Sequence, residues 1–170
     1  MSAKFGKSDL GKLTYYLGIE VDQHKDVITL RQERYAKKIL EETEMKDCNA
    51  VHIPMALSLN LSKSRDENSI DEMNYRRSIG CLRYLLHTRP DISYGVGFLS
   101  RYMREPKQYH GTAMKHVLRY LQGTLTHGLF FGGASEMKLV GFSDSSHNVD
   151  EDDGRSTTGH VFYYSSSPIT

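Results

Sequence analysis

Hydrophobic positions along this chain change their period twice, and each change marks a different kind of element. From Leu13 to Val21, and again from Val27 to Leu30, the residues are β-branched and aromatic in short runs, the composition of strands. The polar stretch Asp22–Asp26 between them predicts a β-hairpin. From Arg31 to Met45 the period becomes helical, with Tyr35, Ile39 and Leu40 apolar and Lys37 and Lys38 on another face. Residues 46–74 lose the pattern. Scarce apolar runs among many Ser, Asn, Lys and acidic residues predict a linker or surface loop, with Leu59 and Leu61 its candidate anchors to a core.

Helical spacing returns between Tyr75 and Thr124, the stretch that organises the rest. It predicts three amphipathic helices divided by Pro90 and Pro106. The apolar stripes are Tyr75, Ile79, Leu82 and Leu86; then Ile92, Val96, Leu99 and Met103; then Ala113, Val117 and Leu121. Pro90 is tolerated only in a first turn, and Thr88 with Asp91 has capping-box spacing, so the second helix starts there. Gly123 supplies the last stop. Beyond it the pattern alternates, predicting strands at Gly128–Phe131, Lys138–Phe142 and Gly159–Tyr164. The acidic segment Asp144–Asp153 joins the last two, and Pro168-Ile169-Thr170 reads as the beginning of another strand. A two-stranded pair is marginal in water, so this sheet looks unfinished. The expected class is α+β. Its parts are an N-terminal hairpin and helix over 1–45, a linker over 46–74, a helical block over 75–124 and an antiparallel β-region over 125–170.

Composition narrows the class without naming a function. At 170 residues, 38% hydrophobic and with a mean hydropathy of −0.53, the chain is globular in type and long enough to bury a core. It has no run of about 18 apolar residues, the length a membrane helix needs. MSAKFGKSDLGK lacks the apolar centre of a secretory signal, so a cytoplasmic or nuclear setting is expected, with no membrane partner. Cys48 and Cys81 have no CxxC spacing and read as reduced thiols rather than zinc ligands.

Charge changes the picture more. Tyr75–Thr124 holds nine Lys/Arg against Asp91 and Glu105, a net of +7, while the whole chain carries +1. At about 100° per residue, Arg76, Arg83 and His87 fall together beside the apolar stripe, and Lys115 and Arg119 share the far face of the third helix. With Arg89, these are the candidate contacts to a polyanion. The competing reading is a solvated face whose Arg stems cover apolar surface, and composition alone favours it.

Catalytic signals are sparse. His110 falls on the apolar side of its helix and reads as a capping or core histidine rather than a general base. No serine stands in a Gly-Xaa-Ser-Xaa-Gly setting, and no glycine-rich phosphate loop follows a strand. Met103 and Met114 read as core packing. Tyr84, Tyr102 and Tyr109, set among arginines, read as core or as base-stacking rings. The acids Asp150, Asp152 and Asp153 read as a solvated turn rather than a metal site. Arg83-Tyr84-Leu85-Leu86 matches a secreted-effector tag at only its first three positions and has no signal sequence ahead of it.

The order of these motifs carries a family resemblance. SDLGKLTYYLGIEV, RQERYAKKILEE, YRRSIGCLRYLLHTRPDISYGVGFLSRYM, LRYLQGT and GFSDSSHNVDEDDGRSTTGHVFYY, in that succession, resemble the polyprotein of Ty1/copia-type retrotransposons. The resemblance runs from about Phe5 to the end, from behind the polymerase palm into the ribonuclease H domain. It implies that Tyr16, Leu17 and Gly18 resemble the primer grip, which holds a growing 3′ end through backbone contacts. The helix from Arg31 and the block from Tyr75 would resemble the thumb and connection that follow a template–primer duplex. Asp144 is similar to the first metal-binding carboxylate of ribonuclease H. Its surroundings, Asp144-Ser145-Ser146-His147-Asn148, depart from the commoner Asp-Xaa-Asp-Trp-Ala pattern.

Two-metal hydrolysis needs several carboxylates converging on ions about 4 Å apart, and Asp144 alone is insufficient. The Tyr-Xaa-Asp-Asp turn of the polymerase is expected upstream of Met1, and the remaining ribonuclease carboxylates downstream of Thr170. The resemblance therefore implies a segment that is not an enzyme on its own. No cofactor is expected, Mg2+ belonging to the intact family enzyme. The expected partners are an RNA–DNA or DNA duplex, the remaining parts of the polyprotein, or a second copy. The alternative function is a protein-interaction module or a non-functional transposon remnant that oligomerises through an unfinished sheet edge at Val161-Phe162-Tyr163.

Overall fold

The computed structural model describes residues 11–56, 61–62, 67–132, 138–145 and 158–169. Its N-terminal part is a meander of short strands: β1 (Tyr15–Tyr16), β2 (Ile19–His24) and β3 (Val27–Arg31). The expected single strand from Leu13 to Val21 is broken. Leu17 and Gly18 both adopt positive φ, +46° and +79°, and Tyr16 pairs with Ile19 around them. That is the signature of a tight I′-type hairpin turn, which Gly18 permits because it has no Cβ. Strand β2 then continues to His24, where Asp22 and Gln23 were expected in a loop, and only Lys25 and Asp26 make the turn.

Helix α1 (Glu33–Glu42) follows at once. Its exposed N-terminal amides are met from the sheet, since the Arg34 N–H donates to Glu20 Oε1 at 2.9 Å. A carboxylate there satisfies an orphan donor and complements the helix dipole. The helices α2 (Glu72–Leu85), α3 (Ser93–Leu99) and α4 (Gln108–Gly123) realise the three expected stripes. Asp71 caps α2 by accepting from the Asn74 N–H at 2.8 Å. Single 3₁₀ turns at Pro90–Ile92 and Ser100–Tyr102 extend α3 at both ends.

These helices close the core. Ala36, Ile39 and Leu40 of α1 meet Tyr75, Ile79, Leu82 and Leu85 of α2, Val96 and Leu99 of α3, and Ala113, Met114, Val117, Leu118 and Leu121 of α4. Each fully buried Leu or Ile here stabilises by about 1.5–3 kcal/mol relative to exposure. Leu85 is buried and Leu86 only half-buried, so the α2 stripe turns by one residue at its end. The described part of 46–74 is anchored to the core, as expected of Leu61: Leu61 and Ser62 are buried, Met55 and Ile70 pack on the core, and Tyr102 Oη donates to Leu61 O at 2.9 Å. Leu59 lies outside the described residues.

The boundary expected at residue 125 also moves. Strand β4 (Gly128–Gly132) joins the N-terminal sheet, pairing antiparallel with β3 (Leu30 opposite Leu129) to give the order β1-β2-β3-β4. The local alternation predicted a strand, and nothing in it named a partner about a hundred residues away. The remaining strands form a separate antiparallel sheet, β5 (Leu139–Ser145), β6 (Thr158–Tyr164) and β7 (Ser167–Pro168). The acidic segment between β5 and β6 lies outside the described residues, including Asp150, Asp152 and Asp153. Ser167 Oγ donates to Phe130 O and links the two sheets.

Candidate nucleic-acid interface

The turn between β1 and β2 is held against α2 by one side chain. Tyr84 Oη donates to Leu17 O, and the Tyr84 ring lies so close to Gly18 that a Cβ there would sit 3.4 Å from Cε1. Tyr84 is held in turn by edge contacts with Tyr35 and His87, at centroid distances of 5.2 and 5.3 Å. The Tyr35 hydroxyl donates to Cys81 O, and burial together with the neighbouring Cys81 pushes its pKa up to about 12. A turn that hydropathy alone leaves floating is thus fixed to the helical block, with Tyr15, Tyr16 and Leu17 at 53%, 59% and 67% exposure on its outer side.

On the adjoining face of α2 lies a strip made of Arg76, Gly80, Arg83 and His87, all exposed. The Arg83 side chain has no hydrogen bond or ion pair among the described residues, while its carbonyl accepts the Leu86 N–H. Nothing lies within 4 Å of where a Gly80 Cβ would stand, so the helix backbone is open to close approach at mid-strip. His87 Nδ1 donates to Tyr84 O at 2.7 Å, which leaves Nε2 as its outward nitrogen. Arg76 is partly committed, through Nε to Met103 O at 3.0 Å and through an ion pair with Glu72. Exposed pairs of this kind contribute only about 0–1 kcal/mol, so a polyanion can compete for Arg76 at little cost.

The other expected contacts are elsewhere. Lys115 and Arg119 do not join the α2 strip; they border a depression of about 420 Å³ with Met45, Met55 and Tyr109. Arg119 Nε donates to Asn49 O at 2.7 Å, and Lys115 has no ion pair among the described residues. Arg89 is not a surface cation at all. It is 2% exposed, with Nε and Nη2 donating to the Asp91 carboxylate at 2.9 and 2.7 Å, and Nη1 and Nη2 donating to Thr124 O and Oγ1. Asp91 is therefore an ion-pair partner rather than a cap, and Thr88 instead donates to Gln32 Oε1 at 2.9 Å. Burial acts to raise the Asp91 pKa, but the bonds and charge of Arg89, with a bond from Tyr120, outweigh it and hold the carboxyl below its ordinary value.

His110 is the core histidine its position suggests, fully buried, accepting the Lys107 N–H on Nδ1 at 2.9 Å and stacked on Tyr102 at 3.9 Å. Tyr102 is 2% exposed, which removes it as a base-stacking ring, and Tyr109 is half-buried with its hydroxyl accepting the Ser62 N–H at 3.2 Å. Asp144 is exposed on β5, opposite Gly159, with Phe142 and Val161 next on the same face. Among the described residues no three His, Cys, Asp or Glu side chains are grouped to hold a metal ion. Two-ion chemistry needs several converging carboxylates, and among the described residues Asp144 has no second one beside it. Sequence reasoning missed Gly80 and the role of Tyr84, because an exposed glycine and a tyrosine beside the apolar stripe have no periodic signature.

Comparison with known proteins agrees with the motif order. The family description "Reverse transcriptase (RNA-dependent DNA polymerase)" matches residues 1–57. The retrovirus-related Pol polyprotein from transposon RE1 of Arabidopsis thaliana is 39% identical over 170 residues, the whole of this chain and 12% of that protein. The corresponding polyprotein from transposon TNT 1-94 of Nicotiana tabacum is 34% identical over 179 residues, 13% of its length. An uncharacterized mitochondrial protein of Arabidopsis thaliana is 38% identical over 159 residues, covering 94% of this chain and 66% of that one. No solved structure matches. The chain thus spans about an eighth of the polyproteins it resembles. It belongs to the Pol polyprotein family of copia-type retrotransposons, in a stretch whose residues 1–57 are of the reverse transcriptase family.

Proposed function

We propose that this segment is a non-catalytic grip for a nucleic-acid duplex, an RNA–DNA hybrid or DNA, within the reverse transcriptase/ribonuclease H part of the polyprotein. In this reading the β1–β2 turn is primer-grip-like, helices α1–α4 are thumb- and connection-like, and β5–β7 are the opening strands of a ribonuclease H-like sheet. The observation that carries it is the Tyr84 lock, which places the exposed turn at Tyr16–Gly18 beside the α2 strip with its unpaired Arg83 and open Gly80. Phosphates would be met by Arg83, Arg76 and His87, without base readout, so affinity is sequence-independent and falls with salt. Work on reverse-transcription intermediates would set it in the cytoplasm or nucleus.

A gel-shift salt series on an RNA–DNA hybrid tests this. The wild type binds at low salt, and Arg83→Gln flattens the slope of log affinity against log salt by about one unit. No shift at low salt, or an unchanged slope in the variant, would remove the proposal. Magnesium-dependent strand cleavage or DNA synthesis by the purified chain, abolished in Asp144→Asn, would refute the non-catalytic part.

The small sheet supports a second reading, a protein-interaction module. The open edge is β5 and not Val161–Tyr163, which β6 carries between β5 and β7; Leu139 and Phe142 of β5 are 64% and 59% exposed, on opposite faces. Self-association through such an edge would give a dimer by light scattering, indifferent to added hybrid; a monomer would dismiss it.

A further inference from the structure

Helix α3 turns a different surface outward. Tyr94 and Phe98, four residues apart, lie parallel at a centroid distance of 6.0 Å and an interplanar angle of 6°. The Arg101 guanidinium stands 5.2 Å above the Phe98 ring. Beyond Phe98 the column passes inward, edge to face, to buried Tyr102, which stacks on His110. The ladder is thus rooted in the core at one end, while Tyr94 at the other end is 58% exposed. Gly97, between Tyr94 and Arg101 on the same side of the helix, has nothing within 4 Å of where its Cβ would be. Ser93–Arg104 contains Arg101 and Arg104 and no acidic residue. Of the described acids flanking the segment, Asp91 pairs with Arg89 and Glu105 with Lys107.

A single exposed aromatic side chain is ordinary on a protein surface. A rigid aromatic pair flanked by a guanidinium, on a segment of one charge sign, with open backbone beside it, is the arrangement on which unpaired bases stack while cations meet the phosphates. A duplex cannot use it, because its bases are already stacked on one another. We propose that the Tyr94–Phe98–Arg101 ladder is a stacking site for unpaired bases of single-stranded nucleic acid, separate from the α2 strip. Arg76, which reaches from that strip to Met103 O, leaves the two surfaces on neighbouring elements, as a duplex with a single-stranded extension would need. The inference rests on the reading that this chain binds nucleic acid, and its test fails separately from the duplex test.

The chain contains no tryptophan, so Tyr94→Trp creates a single reporter ring at the site. Fluorescence titration with single-stranded oligo(rA) and oligo(dT) should quench the emission of that variant. Blunt duplex should leave it unchanged. By anisotropy with labelled oligonucleotides, Tyr94→Ala should weaken single-strand binding by about tenfold, the range expected for one stacked base. It should leave duplex binding and its Arg83 dependence as in wild type, and Tyr94→Phe should retain single-strand affinity. The tenfold loss should persist as salt is raised, because stacking releases no counterions. Absence of single-strand binding at low salt, unquenched emission at saturation, or equal loss on duplex and single strand would each overturn the site.

Discussion

Arg89→Ala separates the buried cation from the surface ones, because the structure gives it a cost in stability that a phosphate contact would not have. The guanidinium is 2% exposed and makes four hydrogen bonds, two to the Asp91 carboxylate and two to Thr124. Removing it strips two charged donors from the Asp91 carboxylate and one from the Thr124 carbonyl, at the junction of α2, α3 and the end of α4, while the Tyr120 hydroxyl and the His127 N–H still donate to them. Breaking a buried pair in this way costs about 3–5 kcal/mol. The Asp91 side chain is 35% exposed and water will reach it, so the lower end of that range, about 3 kcal/mol, is expected. With a urea m-value of about 2 kcal/mol per M, the midpoint should fall by roughly 1.5 M.

The pH dependence supplies an independent check. The native Asp91 pKa lies below its ordinary value of 3.8, so the unfolded chain binds that proton more readily. The contribution is therefore complete above the ordinary value and is lost as pH falls through it toward the lower native one. In Arg89→Ala the bonds and charge of Arg89 are gone while burial and the Tyr120 bond remain, so this acid-side loss should shrink. Urea midpoints measured from neutral pH downward give both quantities. A variant as stable as wild type, with weakened hybrid binding, would show that Arg89 is a ligand contact and that the buried pair has been misjudged.

The remaining predictions test other links. Gly128→Ala would put a Cβ 2.3 Å from Leu30 O, so β4 must leave β3; overpacking of this kind costs about 1–3 kcal/mol, and amide protection across Val27–Arg31 should fall with it. Unchanged protection would contradict the β3–β4 pairing. His110→Ala removes a fully buried ring and the acceptor for the Lys107 N–H, and a loss of about 2–4 kcal/mol is expected in urea unfolding; a loss below 1 kcal/mol would refute its place in the core. Arg83→Gln, by contrast, should shift stability by less than about 0.5 kcal/mol, since its surroundings hold no partner for it, and a larger loss would assign Arg83 to structure.

What the chain determines locally was legible from its order of residues. The stripes through Tyr75, Ile79 and Leu82, through Ile92, Val96 and Leu99, and through Ala113, Val117 and Leu121 are each read off a 3.6-residue period, and burial follows the same period. The same argument reads His110 as a capping or core histidine, and it is both, buried and accepting the N-cap N–H of Lys107; the motif order led to the family. Long-range choices were not legible. Alternation at Gly128–Phe131 announces a strand but carries no address, and only folding shows that its partner is Val27–Arg31. Arg89 and Arg83 are identical in type and six positions apart, yet the turn after α2 carries one inward to Asp91 and Thr124 and leaves the other outside. Charge counted along a chain has no direction. Tertiary structure decides which arginines meet water, because a guanidinium is buried only where a carboxylate and carbonyls converge to satisfy its donors.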